Sequence, residues 1–74
     1  MAREAAQQTP FEILGVTVRD DHATIRAAWK RLVRENHPDR VMARGVPEEA
    51  IRMAEKRMVK INAAWEEIKT RHVA

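Results

Sequence analysis

Seventy-four residues with a net charge of +3 make one domain near the lower size limit for a chain that folds on its own core, with no room for a deep substrate cavity. The chain has no Cys, Ser or Tyr, which excludes disulfides, Cys-based zinc sites and a Ser or Cys nucleophile, and its four Thr lie far from the ionisable turn or at helix starts. No apolar run approaches the roughly 20 residues of a membrane span and MAREAAQQ lacks the apolar centre of a signal peptide, so the expectation is a cytoplasmic domain, free-standing or belonging to a longer, even membrane-anchored, parent.

Residues 1–8 show no periodicity and are read as a disordered lead, the ordered domain as 9–70, and 71–74 as a fraying tail. Thr9-Pro10-Phe11-Glu12 carries a capping hydroxyl, a proline at the first helical position and a carboxylate three residues after the cap. A short first helix follows, with Phe11 and Leu14 on one face and Gly15 closing it. A turn and a half of helix cannot stand alone, so it must dock.

Asp20 or Asp21 caps the second helix, in which Ile25, Ala28, Trp29, Leu32 and Val33 form an apolar stripe over about fifteen residues, or about 22 Å. Arg26, Lys30 and Arg34 recur four apart on its solvent side, with Arg31 beside them, and from His22 to Asn36 only Glu35 opposes them. Like charges at that spacing oppose each other by about 0.2–0.5 kcal/mol per pair, so helix stability does not account for the stripe. It points to an acidic partner surface.

Pro38 lacks an N–H and pushes the preceding residue out of the helical region, so the second helix is predicted to end near Asn36. His37-Pro38-Asp39 then sits at the helix tip, an imidazole and a carboxylate flanking a rigid ring, which limits the entropy lost when a partner fixes them. Residues 37–46 are read as a loop, and Pro47 as the first residue of a third helix with Glu48 and Glu49 in its first turn. Ile51, Ala54, Met58, Ile61, Trp65 and Ile68 form a seam along it that matches the stripe on the second helix. The predicted fold is all-α: an antiparallel hairpin of the second and third helices, the short first helix packed across it, and the His-Pro-Asp loop at the tip.

The runs Phe11-Glu12-Ile13-Leu14-Gly15-Val16, Ile25-Arg26, Ala28-Trp29-Lys30-Arg31-Leu32 and His37-Pro38-Asp39-Arg40 resemble the J-domain of the DnaJ co-chaperone family. Ala54, Met58, Ile61-Asn62, Ala64-Trp65 and Ile68 look like the family's third-helix pattern, and Arg40 to Pro47 looks most like the DjlA-type subgroup. The resemblance implies a DnaK-type chaperone ATPase as partner, whose ATP hydrolysis the domain stimulates without being an enzyme itself. It also implies that Arg26, Lys30, Arg31 and Arg34 meet an acidic patch and that Arg40 belongs to the chaperone contact, while His37, Pro38 and Asp39 deliver the signal, the Asp pairing with an arginine of the chaperone. Trp29 and Trp65 stand where the family has tyrosines, Met58 where it has phenylalanine, and Asn36 where tyrosine often precedes the motif.

Three other readings compete. A solvated helix face is the usual meaning of a charge run, but the balanced charges of the third helix argue against it here. A small basic three-helix nucleic-acid binder fits the sequence pI near 10, yet residues suited to base contacts are few and the loop is longer than a helix-turn-helix turn. A purely structural module would leave His37-Pro38-Asp39 without a role. His22, His37 and His72 are too dispersed for a metal site, no cofactor is expected, and Trp29 and Trp65 are read as core. The domain is expected to be monomeric.

Overall fold

In the computed structural model, residues 8–73 are described, with side chains through Arg71. Residues 1–7 of the expected 1–8 lead and the terminal Ala74 lie outside the described residues. Four helices follow in order: α1 (Pro10–Leu14), α2 (His22–Asn36), α3 (Pro38–Ala43) and α4 (Glu48–Val73).

The ends of α1 follow the predicted chemistry. Thr9 Oγ1 accepts from the Glu12 N–H at 3.1 Å and the Glu12 carboxylate accepts from the Thr9 N–H at 2.9 Å, a reciprocal capping box. Gly15, at φ 73°, takes the left-handed conformation that ends the helix. The Gly15 N–H donates to the Glu12 carbonyl and the Val16 N–H to that of Phe11, the paired bonds of a Schellman motif. Asp21 caps α2 by accepting from the Thr24 N–H at 2.8 Å, whereas Asp20 stays in the connection and accepts from the Thr17 N–H at 2.9 Å. Hydrogen bonds from Thr24, its side chain first and its backbone second, hold the Asp21 carboxyl below its ordinary value of 3.8.

α4, 26 residues and about 39 Å long, packs against each of the other three helices. Phe11 and Leu14 from α1, Ile25 from α2, and Ile61, Ala64, Trp65 and Ile68 from α4 make one buried cluster, with Ile13, Val16, Trp29, Leu32 and Val33 packed on it. The hairpin of α2 and α4 is antiparallel: His22 lies beside Trp65, and Leu32 shares a recess with Lys60. Trp29 and Trp65 stack at 4.9 Å between ring centroids and 10° between planes, and Trp29 Nε1–H donates to Asn62 Oδ1 at 3.0 Å. Trp65 is therefore core as expected, while Trp29 is only half-buried, one edge of its ring left to reach Asn62.

Two further details differ from the sequence reading. The span read as a loop, 37–46, contains α3, whose Val41 is buried and anchors it to the hairpin. Arg44 ends that helix, and Gly45 at φ 71° turns the chain towards α4. Pro47 stands one residue before α4, its carbonyl accepting from the Ala50 and Ile51 N–H groups at 3.0 and 3.3 Å, so it takes the cap position instead of the first helical one.

Ile68 is fully buried and Val59 is 70% exposed, both on α4. Ile68→Ala is expected to cost about 2–5 kcal/mol in urea denaturation, and Val59→Ala less than about 0.5 kcal/mol. For Asp21 the sign follows from the lowered folded-state value. Its cap contributes stability at neutral pH that is lost as pH falls through that value. The melting temperature of Asp21→Ala should therefore lie below the wild type's at pH 7, and the gap should narrow as pH falls through that lowered value.

Candidate functional site

Capping at Asp21 and burial of Ile25 and Ala28 fix how α2 is rotated, and this turns Arg26, Lys30, Arg31 and Arg34 outward. All four are exposed, and among the described residues none has a carboxylate oxygen within 4.0 Å. α4 differs. Arg52 pairs with Glu48 at 3.4 Å, Lys69 with Glu66 at 3.1 Å and Arg71 with Glu67 at 2.8 Å, each one helical turn apart. Among the described residues none of the four cations of α2 is thus held in an ion pair, whereas Arg52, Lys69 and Arg71 of α4 are, and the positive field along α2 faces outward.

His37 closes α2 and opens α3 at once. Its extended backbone, φ −64° and ψ 132°, is what the following proline imposes. Pro38 is the first residue of α3, where a missing N–H costs nothing, and Asp39 lies in the first turn. Nδ1 of His37 accepts from the Asp39 N–H at 3.2 Å and lies 4.0 Å from Asp39 Oδ2. The carboxylate itself points to solvent, 85% exposed, and the imidazole is 52% exposed.

Val33, Arg34, His37, Asp39 and Arg40 line one shallow recess at this corner. Of the residues singled out in the sequence, Arg34, His37, Asp39 and Arg40 therefore come together. Arg26 and Lys30 continue the basic face towards the start of α2, and Arg31 borders a separate recess with Asp20 and Thr24. No nucleophile stands beside the His37 and Asp39 pair, and the imidazole nitrogen nearest the carboxylate is engaged with a backbone amide. The arrangement can recognise a cation through Asp39 and an acidic surface through α2. Among the described residues no cluster could hold a metal ion, and no helix is long and apolar enough to cross a membrane.

Asn36 is a site residue whose role the sequence reading left open. It is buried, and its Nδ2–H donates to the Leu32 carbonyl at 2.9 Å, bracing the last turn of α2 directly before His37. The available signal was register: position 36 continues the 25, 28, 29, 32, 33 stripe.

The family model for the DnaJ domain matches residues 9–72. The co-chaperone protein DjlA of Pasteurella multocida strain Pm70 is 40% identical over 56 residues, 76% of this chain and 20% of that protein. DjlA of Escherichia coli strain K12 is 42% identical over 57 residues, 77% of this chain and 21% of that protein. The chain thus spans about a fifth of the length of the curated relatives it matches. No solved structure gives a significant match.

Asn36→Ala removes a part-buried hydrogen bond and should lower stability by about 0.5–1.5 kcal/mol in urea denaturation. An unchanged midpoint would mean that the bond braces nothing.

Proposed function

This chain belongs to the DnaJ domain family, and from that premise we propose that it binds a DnaK-type chaperone ATPase through the basic face of α2 and the His37-Pro38-Asp39 corner and stimulates ATP hydrolysis by that partner. The observation carrying this reading is the conjunction at one corner of an outward-pointing Asp39 carboxylate and a helix face whose cations have no intramolecular partners among the described residues.

The roles divide by physics. Arg26, Lys30, Arg31 and Arg34 act at a distance: exposed charges of one sign raise the association rate and set the orientation of an acidic surface. Arg40 extends that field around the corner. Asp39 acts at contact, where a carboxylate accepting from a guanidinium makes a short, directional, charge-assisted pair. Pro38 keeps the corner stiff, so little conformational entropy is lost on docking. The chain performs no bond chemistry itself. It binds one conformation of the ATPase better than another and shifts that equilibrium by the difference. We place this activity in the cytoplasm and with a monomer. The printed name of the relatives, co-chaperone protein, supports the same reading.

Single-turnover ATP hydrolysis by a DnaK-type chaperone, with wild type, with Asp39→Asn and with neither, tests it. Wild type should accelerate hydrolysis. Asp39→Asn, shown by circular dichroism to be folded, should lose about tenfold or more of that effect, the scale of one hydrogen bond to a charged group. Raising salt should weaken the wild-type effect at sub-saturating concentrations. If the folded wild type accelerates none of several such chaperones, the reading is wrong.

A further inference from the structure

α3 has six residues and cannot persist without tertiary support and capping. Its first intrahelical bond runs from the Val41 N–H to the His37 carbonyl at 3.0 Å, Pro38 has no N–H, and the Asp39 N–H is taken up by His37 Nδ1. The imidazole therefore occupies the role that Thr9 has for α1 and Asp21 for α2. Unlike a hydroxyl or carboxylate oxygen, an imidazole nitrogen accepts only while it carries no proton. With Nδ1 accepting, the proton of the neutral ring sits on Nε2.

We propose that His37 is a positioning residue, whose uncharged Nδ1 caps α3 and thereby aims the Asp39 carboxylate outward, and that protonation at Nδ1 releases the cap and turns the carboxylate onto its own neighbour. The structure shows the capped state, and the distances around Nδ1 allow the other. A proton on Nδ1 sets donor against donor at the 3.2 Å contact with the Asp39 N–H, while Asp39 Oδ2, 4.0 Å away, offers it a charged acceptor. The charged groups around the imidazole are Asp39 and Arg40 on α3 and Arg34 on α2; α1 and α4 contribute none to that recess. A carboxylate drawn onto an imidazolium is no longer free for an external guanidinium, and an uncapped first turn spreads its orientations.

The functional half rests on the chaperone reading; the cap does not, and the experiment separates them. In amide NMR of the domain taken from about pH 8 to about pH 5, the Asp39 resonance should move together with the ring resonances of His37. At pH 8, protection of that amide should be lost in His37→Ala and kept in His37→Asn, whose side-chain oxygen accepts without titrating. Stimulation, taken as the ratio to the unstimulated rate at each pH, should fall about tenfold across that range for wild type and stay flat for His37→Asn at whatever level that variant sets. An Asp39 amide indifferent both to pH and to His37→Ala overturns the cap. A titrating cap with parallel stimulation profiles for wild type and His37→Asn overturns the positioning role alone. Absence of stimulation at every pH removes the functional half together with the chaperone reading, while the amide data still decide the cap.

Discussion

Ala54, Met58, Ile61, Trp65 and Ile68 recur at alternating steps of four and three along α4, all but the half-buried Met58 fully in the core, and no other element can replace the burial of that seam. α1 and α3, at five and six residues, are far below the length at which a helix holds itself together. Each exists because it lays apolar side chains against this spine, Phe11 and Leu14 from one and Val41 from the other. Apolar burial is non-directional, so it holds the helices together without fixing their rotation. The Trp29–Trp65 stack with the Trp29–Asn62 hydrogen bond supplies the missing direction, since it is satisfied at only one register of α2 on α4.

That register decides what faces outward. With Ile25 and Ala28 turned in, the positions four apart beginning at Arg26 must be on the opposite side. At the end of the same helix Pro38 breaks the hydrogen-bond ladder, Asn36 braces the last turn, and His37 hands the chain from one helix to the next in a single extended residue. The corner is therefore stiff for three separate reasons, a fixed proline φ, a braced exit and an anchored continuation at Val41. Stiffness is what lets one exposed carboxylate act as a contact point instead of a solvated side chain.

Much of this was legible because helix ends and apolar periods obey rules local in sequence. Thr9, Pro10, Glu12, Gly15 and Asp21 all do what their types and spacings predict. α3 escaped for a definable reason: His37-Pro38-Asp39 has the same proline-after-cap order as Thr9-Pro10, but histidine is not among the usual capping residues, and six residues with one buried position show no period. The candidate site divides in the same way. Spacing placed the cations of α2 on one face and put the tripeptide at its end. That the imidazole turns back to cap while the carboxylate turns out depends on side-chain torsions, which no pattern of residue types encodes.

The cations of α2 are not equivalent in what local physics explains. Arg34 lies in the last turn, where a positive charge complements the helix dipole, and Arg40 does the same for α3. Arg26 and Lys30 have no such reason. They sit away from the C-terminal end, lack a carboxylate partner among the described residues, and with Arg34 form two like-charge pairs at the spacing where repulsion costs about 0.2–0.5 kcal/mol each. On a domain whose small core supplies only about 3–5 kcal/mol, such a cost is a sizeable fraction of the total. α4 shows that the same chain places opposite charges one turn apart elsewhere, at Glu48 and Arg52 and at Glu67 and Arg71. Under the proposed function the difference has a cause. The pairing that α4 completes at Arg52, Lys69 and Arg71, α2 leaves at all four of its cations to be completed by the acidic surface of another protein.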